Sequence, residues 1–238
     1  MADARRGLLA VSPAGAVTLA ASEHGGRPFR LTDDLDVGTD GTVYFTDASS
    51  RFEMGQSIWD VVENRPHGRL LARDPSGSVR LVADGLYFAN GVALAPDESY
   101  VLVVETSRYR LRRCWLAGDR RGSCDVFADN LPGFPDGVSG NGRGTFWVAL
   151  VSPRNPLLDR LHPWPALKKA LVRLPSLVRP GPRAYGFVLG LDERGRVVHN
   201  LQDPQGRAFA FVTNVVEHEG SLYLGSLELD AVGRIPWP

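Results

Sequence analysis

Hydrophobic and polar positions along this chain fall into a short unit that recurs. An apolar run leads into a turn holding Asp or Gly, and an alternating strand follows that ends in a small or acidic residue. The unit spans Leu35–Asp47, returns as Gly91–Glu105 and Gly137–Ala149, and appears in a divergent form at Val215–Gly225. A second kind of hairpin lies between these copies, at Gly7–Ala20, Gly68–Ala83 and Gly186–His199. Its turns read Ser12-Pro-Ala-Gly15, Asp74-Pro-Ser-Gly77 and Asp192-Glu-Arg-Gly195. A leading Asp or Ser with a closing Gly is what type I turns prefer.

Two hairpins in tandem make the four strands of one propeller blade. The pattern therefore predicts an all-β propeller in a single domain over 1–238. Residues 7–22 form the outer half of one blade, 33–86 and 90–130 two full blades, 136–203 a third with an insert, and 211–237 a last blade of about three strands. The step from Asp34 to Asn90 is 56 residues and that from Asn90 to Asp136 is 46, close to the roughly 40–50 of propeller repeats. A β-sandwich would also give short strands, but not two hairpin types in strict rotation.

Residues 153–183 break the strand pattern. They read as two short helices around Pro163 and Pro165, a helical insert or lid within the domain. Leu167, Leu171 and Leu174 share one helical face, with Lys168, Lys169 and Arg173 off it. The favoured expectation is a helix packed on the propeller surface. A lid over the channel and contact with a membrane surface are the sharper alternatives.

Composition changes this picture little. The 238 residues carry 27 basic and 27 acidic side chains, with no net charge, so no nucleic-acid footprint is visible. No membrane-length apolar run or signal-peptide core is present, which leads to a cytoplasmic expectation. Cys114 and Cys124 flank a probable hairpin and could face each other across it; two reduced, buried thiols are the reading favoured for the cytoplasm.

Candidate chemistry follows from the phase of the repeat. Inner strands of a propeller line its channel, and just before each one stands an acid or amide: Asp33-Asp34, Asn90 and Asp136. Oxygen ligands converging from separate blades suit a hard cation such as Ca²⁺ or Mg²⁺. Turn chemistry would repeat with the fold too, so the blander reading stays open. His67 reads as a loop histidine, and Glu217-His218-Glu219 as a polar turn rather than a catalytic cluster. The chain has no His-Glu-x-x-His, Gly-x-Ser-x-Gly or phosphate-loop motif.

The runs Phe88–Ser99, Asn130–Gly137 and Val216–Ser226 resemble the strictosidine synthase-like and adipocyte plasma membrane-associated protein-like family. That family lies within the gluconolactonase–paraoxonase superfamily of six-bladed propellers. The resemblance implies one divalent cation in the channel, usually Ca²⁺, held by a Glu, two Asn and an Asp. Asn90 and Asp136 match one Asn and the Asp; Asp33 stands where the family has the other Asn. The Glu has no counterpart, and on a count of six blades the chain is expected to be an N-terminally truncated ring, inactive or impaired and prone to associate. The implied activity is calcium-dependent hydrolysis of a small-molecule lactone or ester, with Asp136 and Asp34 as candidate catalytic carboxylates. The position of the alkaloid-forming Glu falls on Thr213, which argues against strictosidine synthesis. A non-catalytic binding propeller is the alternative.

Overall fold

The computed structural model describes residues 1–174 and 181–237. Five blade-like antiparallel sheets follow one another along the chain. The first holds β1 (Ala2–Asp3), β2 (Gly7–Val11) and β3 (Val17–Ala21), and a small ribbon of β4 (Glu23–His24) and β5 (Arg27–Pro28) follows it. The second holds β6 (Thr32–Val37), β7 (Val43–Asp47), β8 (Gly68–Arg73) and β9 (Val79–Leu86). The third holds β10 (Ala89–Leu94), β11 (Tyr100–Glu105), β12 (Arg110–Trp115) and β13 (Cys124–Ala128). The fourth holds β14 (Gly133–Gly140), β15 (Thr145–Pro153), β16 (Gly186–Asp192) and β17 (Val197–Asp203). The last holds β18 (Val212–His218), β19 (Ser221–Ser226) and β20 (Gly233–Pro236). The blade limits read from the repeat hold to within a few residues. The additions are β1 and the β4–β5 ribbon, whose two-residue strands are too short to show a pattern.

Burial explains why the pattern was readable. The second strand of a blade lies between neighbouring blades, so β11 (Tyr-Val-Leu-Val-Val-Glu) is buried at every position. The outermost strands touch protein on one side only, and β17 is largely exposed. The apolar cores lie between sheets: Tyr100, Phe127 and Phe146 pack where the third blade meets the fourth, and Trp147, Val215 and Leu222 where the fourth meets the fifth. The predicted turns close as expected. Gly77 N donates to Asp74 O at 3.0 Å, and Asp74 Oδ1 accepts from Ser78 N at 3.0 Å.

Side chains also join one blade to the next. Asp34 Oδ2 accepts from Val92 N at 3.1 Å and Asp36 Oδ2 from Leu94 N at 2.8 Å. Further round, Asn141 Nδ2 donates to Glu217 Oε2 at 2.9 Å and Trp147 Nε1 donates to the same oxygen at 2.8 Å, while Arg143 pairs with the other. Glu217 is thus a blade-to-blade acceptor, whereas His218 is exposed. Glu217→Ala strands a buried indole N–H and an amide, each costing about 1–3 kcal/mol. Urea melts should show a loss of roughly 2–3 kcal/mol, against under about 0.5 for Arg143→Ala, whose side chain is exposed. Among the described residues the last sheet and the first show no packing comparable to that between consecutive blades.

One expectation is corrected. Cys114 and Cys124 are not separate thiols: they sit directly opposite each other on β12 and β13 and form a disulfide. The insert does hold two helices, α2 (Pro156–Arg160) and α3 (Pro165–Val172), with α1 (Ser57–Glu63) beside α3. On the leucine face of α3, Leu167 and Leu174 are exposed, as is Trp164 before it. Lys168 is buried instead, and Lys169 Nζ bonds Glu63 Oε1 on α1 at 2.7 Å. Residues 175–180 of the expected insert, and the side chain of Leu171, lie outside the described part. No helix among the described residues is long and apolar enough to cross a membrane.

Candidate functional site

Each inner strand carries a β-bulge at its start. Register shifts fall between Thr32 and Leu35 on β6, Ala89 and Val92 on β10, Pro135 and Val138 on β14, and Val212 and Asn214 on β18. The residues freed from the ladder are Asp33-Asp34, Asn90-Gly91, Asp136-Gly137 and Thr213. A bulge re-aims the side chain it releases. The repeated acid or amide is therefore not simple turn punctuation: on β6, β10 and β14 it occupies an irregular step of the inner strand.

The glycines of these pairs bring the strands together. A Cβ on Gly91 would lie 2.5 Å from Val138 N and 2.7 Å from Asp136 O. One on Gly137 would lie 2.6 Å from Thr213 O. Adjacent inner strands thus touch backbone to backbone, and their bulged side chains are drawn to a common region. Asp33, Asn90 and Asp136 all line one cavity of about 690 Å³.

Asn90 is held by its surroundings. Its Nδ2 donates to Thr106 Oγ1 at 3.3 Å, and that hydroxyl donates to Pro135 O at 2.7 Å. The amide also favours the charged form of the neighbouring Asp136 carboxylate, and its Oδ1 is the ligand-type atom. Asp34 has a different situation: Oδ1 accepts from Leu35 N at 2.9 Å and Oδ2 from Val92 N. It serves the blade junction and does not line the cavity.

The acids crowd one another. Burial pushes Asp136 up to about 8, with the Asp33 charge adding to the rise and the Asn90 hydrogen bond opposing it. Burial and the adjacent Asp34 push Asp33 up to about 7. Its side chain is open to the channel, so water reaches it although protein surrounds it. Asp34 rises to about 6 through burial, against the pull of its two backbone donors. None of the three has a Lys, Arg or His ion-pair partner among the described residues. No three His, Cys, Asp or Glu side chains group as a metal site there either. The donors on offer are two carboxylates and an amide oxygen, a partial all-oxygen set with unrelieved negative charge. That set fits a hard divalent cation better than a soft one.

The rest of the wall comes from residues the sequence did not single out. Leu31, Phe88, Phe134 and Leu158 are apolar; Ser107, Arg154, His162 and Lys168 are polar or cationic. His67 lies apart from this cavity, 3.4 Å from Glu63 Oε2.

Residues 33–119 match the family model described as strictosidine synthase. Over 239 residues the chain is 41% identical to an adipocyte plasma membrane-associated protein of Salmo salar, covering 95% of this chain and 57% of that protein. It is 38% identical to the strictosidine synthase-like protein 10 of Arabidopsis thaliana, covering 98% of this chain and 64% of that one. The chain thus spans about three fifths of the length of these curated relatives. Among solved structures, a gluconolactonase from Xanthomonas campestris superposes with a TM-score of 0.66 at 19% identity, over 98% of this chain and 66% of that one. At that identity the likeness speaks to the propeller fold alone.

Proposed function

Starting from the chain's similarity to strictosidine synthase-like proteins, we propose that its channel binds a divalent cation, Ca²⁺ by preference, and hydrolyses a small-molecule lactone or ester. One observation carries this reading. Asp33, Asn90 and Asp136 are released by bulges on three successive inner strands, line one cavity, and bring together carboxylates that have no ion pair among the described residues.

Asp33, Asn90 and Asp136 are the residues that would hold the ion. When bound, it supplies a Lewis acid that polarises the carbonyl and steadies the developing oxyanion. Asp136 receives a proton from the attacking water at its carboxylate and returns it to the leaving oxygen. The Asn90 amide, held by Thr106, favours the ionised form of that carboxylate. The apolar wall of Leu31, Phe88 and Phe134 keeps bulk water from the substrate. Asp34 is left to join blades, and Thr213 offers no carboxylate for the amine deprotonation that alkaloid condensation needs.

Hydrolysis of phenyl acetate and a δ-lactone, followed before and after chelation, tests the proposal. Activity should need added Ca²⁺, and Asp136→Ala should lower kcat by roughly 10²–10⁴-fold. A protein that takes up no divalent cation in calorimetric titration would overturn it.

A further inference from the structure

Lys168 is a buried cation without a carboxylate of its own. It is 1% exposed, lines the cavity, and makes no ion pair within 4.0 Å among the described residues. Its Nζ lies 3.2 Å from His162 Nδ1, an atom that also accepts from Asn64 Nδ2 at 3.0 Å. Two donors on one nitrogen place the imidazole proton on Nε2, which faces Asp159 at 3.7 Å. His162 is thus a neutral acceptor, in accord with the lowering of its pKa by burial and by Lys168. It satisfies one ammonium hydrogen and leaves two. Asp159 is occupied by the Tyr109 hydroxyl, which donates to Oδ1 at 2.8 Å. Burial, and repulsion from Arg108, hold Lys168 down at about 8.

Two further donors beside it lack partners. Arg154 lies with its guanidinium 4.1 Å over the Tyr109 ring, and its Nε is buried without a hydrogen bond. The Ser107 hydroxyl is buried and equally unpaired. Both line the same cavity as Lys168. A buried charge with no counter-ion is expensive to keep. Two unpaired donors and a lysine whose charge no carboxylate balances, all lining one cavity, make sense when a ligand brings the anion. Apolar side chains such as Phe134 and Leu158 line the same cavity, and its volume suits a drug-sized molecule.

We propose that this wall receives a carboxylate group on the substrate, with Lys168 as the main contact and Arg154 and Ser107 beside it. The substrate class is then a lactone or ester with an apolar body and a free carboxylate. That the reacting bond is an ester or lactone rests on the function proposed above; the carboxylate site does not. The geometry assigns two ends to the molecule, an anionic one toward the insert and a reacting one toward the bulged acids.

Calorimetric titration with 4-phenylbutyrate and with the neutral 4-phenylbutyramide, on the whole chain without added metal, tests the site apart from catalysis. The carboxylate should bind about 10–100-fold more tightly than the amide, as a buried charge-assisted contact allows. Lys168→Gln should erase that preference and Lys168→Arg should keep most of it. Thermal melts of Lys168→Gln should show no loss of fold, because the change removes a charge that had no partner. Equal affinity for acid and amide in the unmodified protein would overturn the proposal, as would a preference that survives Lys168→Gln. Loss of ester hydrolysis with the preference intact would count against the hydrolase reading alone.

Discussion

Asp136→Asn is expected to raise the melting temperature of the metal-free protein while removing its response to calcium. In the folded state burial and the Asp33 charge lift Asp136 to about 8, against an ordinary value of 3.8. The native state therefore holds this proton more tightly than the unfolded chain does. The stabilisation it gives is complete below about pH 4 and fades as pH rises toward 8. At neutral pH the metal-free protein carries a penalty that asparagine, isosteric and uncharged, does not. Because water reaches this part of the channel, a gain of about 2 kcal/mol is the reasonable figure rather than the full shift at about 1.4 per unit. For a chain of this size that is about 5 °C. Calcium should reverse the order: at 100 times its Kd it adds about 2.7 kcal/mol to the unmodified protein and little to the variant. Scanning calorimetry from pH 5 to 8, with chelator and with calcium, measures both effects. A variant that melts below the unmodified protein in chelator would contradict the charge crowding described for the channel.

Gly91→Ala carries the largest expected cost. The added methyl would meet Val138 N at 2.5 Å, Asp136 O at 2.7 Å and Gly137 Cα at 2.7 Å, all on the neighbouring inner strand. Backbone cannot rotate away as a flexible side chain would, so the two blades must part or β10 must lose its bulge. A destabilisation of about 3 kcal/mol or more is expected, at the upper end of overpacking effects. Any protein that still folds should lose calcium affinity, because Asn90 and Asp136 are carried by the strands forced apart. Gly118, in an exposed turn with φ +70° and no atom within 4 Å of its would-be Cβ, serves as the control. Alanine there should cost only about 1 kcal/mol of backbone strain. Urea melts of the two variants give the comparison, and equal losses would deny the close approach any special role.

The fold was legible because burial in a propeller is periodic. Strands between blades, such as β11, had to be apolar throughout, and outer hairpins had to turn on Asp-Pro-Ser-Gly or its variants. The phase of Asp33, Asn90 and Asp136 could be read for the same reason, but the bulges that aim them could not. A bulge leaves only a pair such as Asn-Gly behind, which a turn would also use. The role of Asp34 depended on Val92, 58 residues away, so its neighbour in sequence gave no warning that one acid faces the cavity and the other the next blade. The orientation of the insert's helix could not be read from its sequence pattern. A leucine face packs inward when an apolar core lies beneath it. Here the surface beneath is the polar rim of a cavity together with Glu63 on α1, so Lys168 and Lys169 turn inward and Leu167 turns out. Nothing in the local pattern distinguishes the two cases.

The contacts between blades have a consequence for engineering. Asp34 and Asp36 on one blade bind main-chain N–H groups of the next, and Ser139 Oγ binds the main-chain carbonyl of Val215 further round. Such joints ask little of the recipient's side chains, since any residue but proline offers the same N–H and every residue offers the same carbonyl. Chimeras that exchange a whole blade with a distant relative should therefore dock at these seams, provided the donor strand keeps its bulge. The seam built on Trp147, Asn141 and Glu217 reads side chains on both sides and would have to be transplanted as a set.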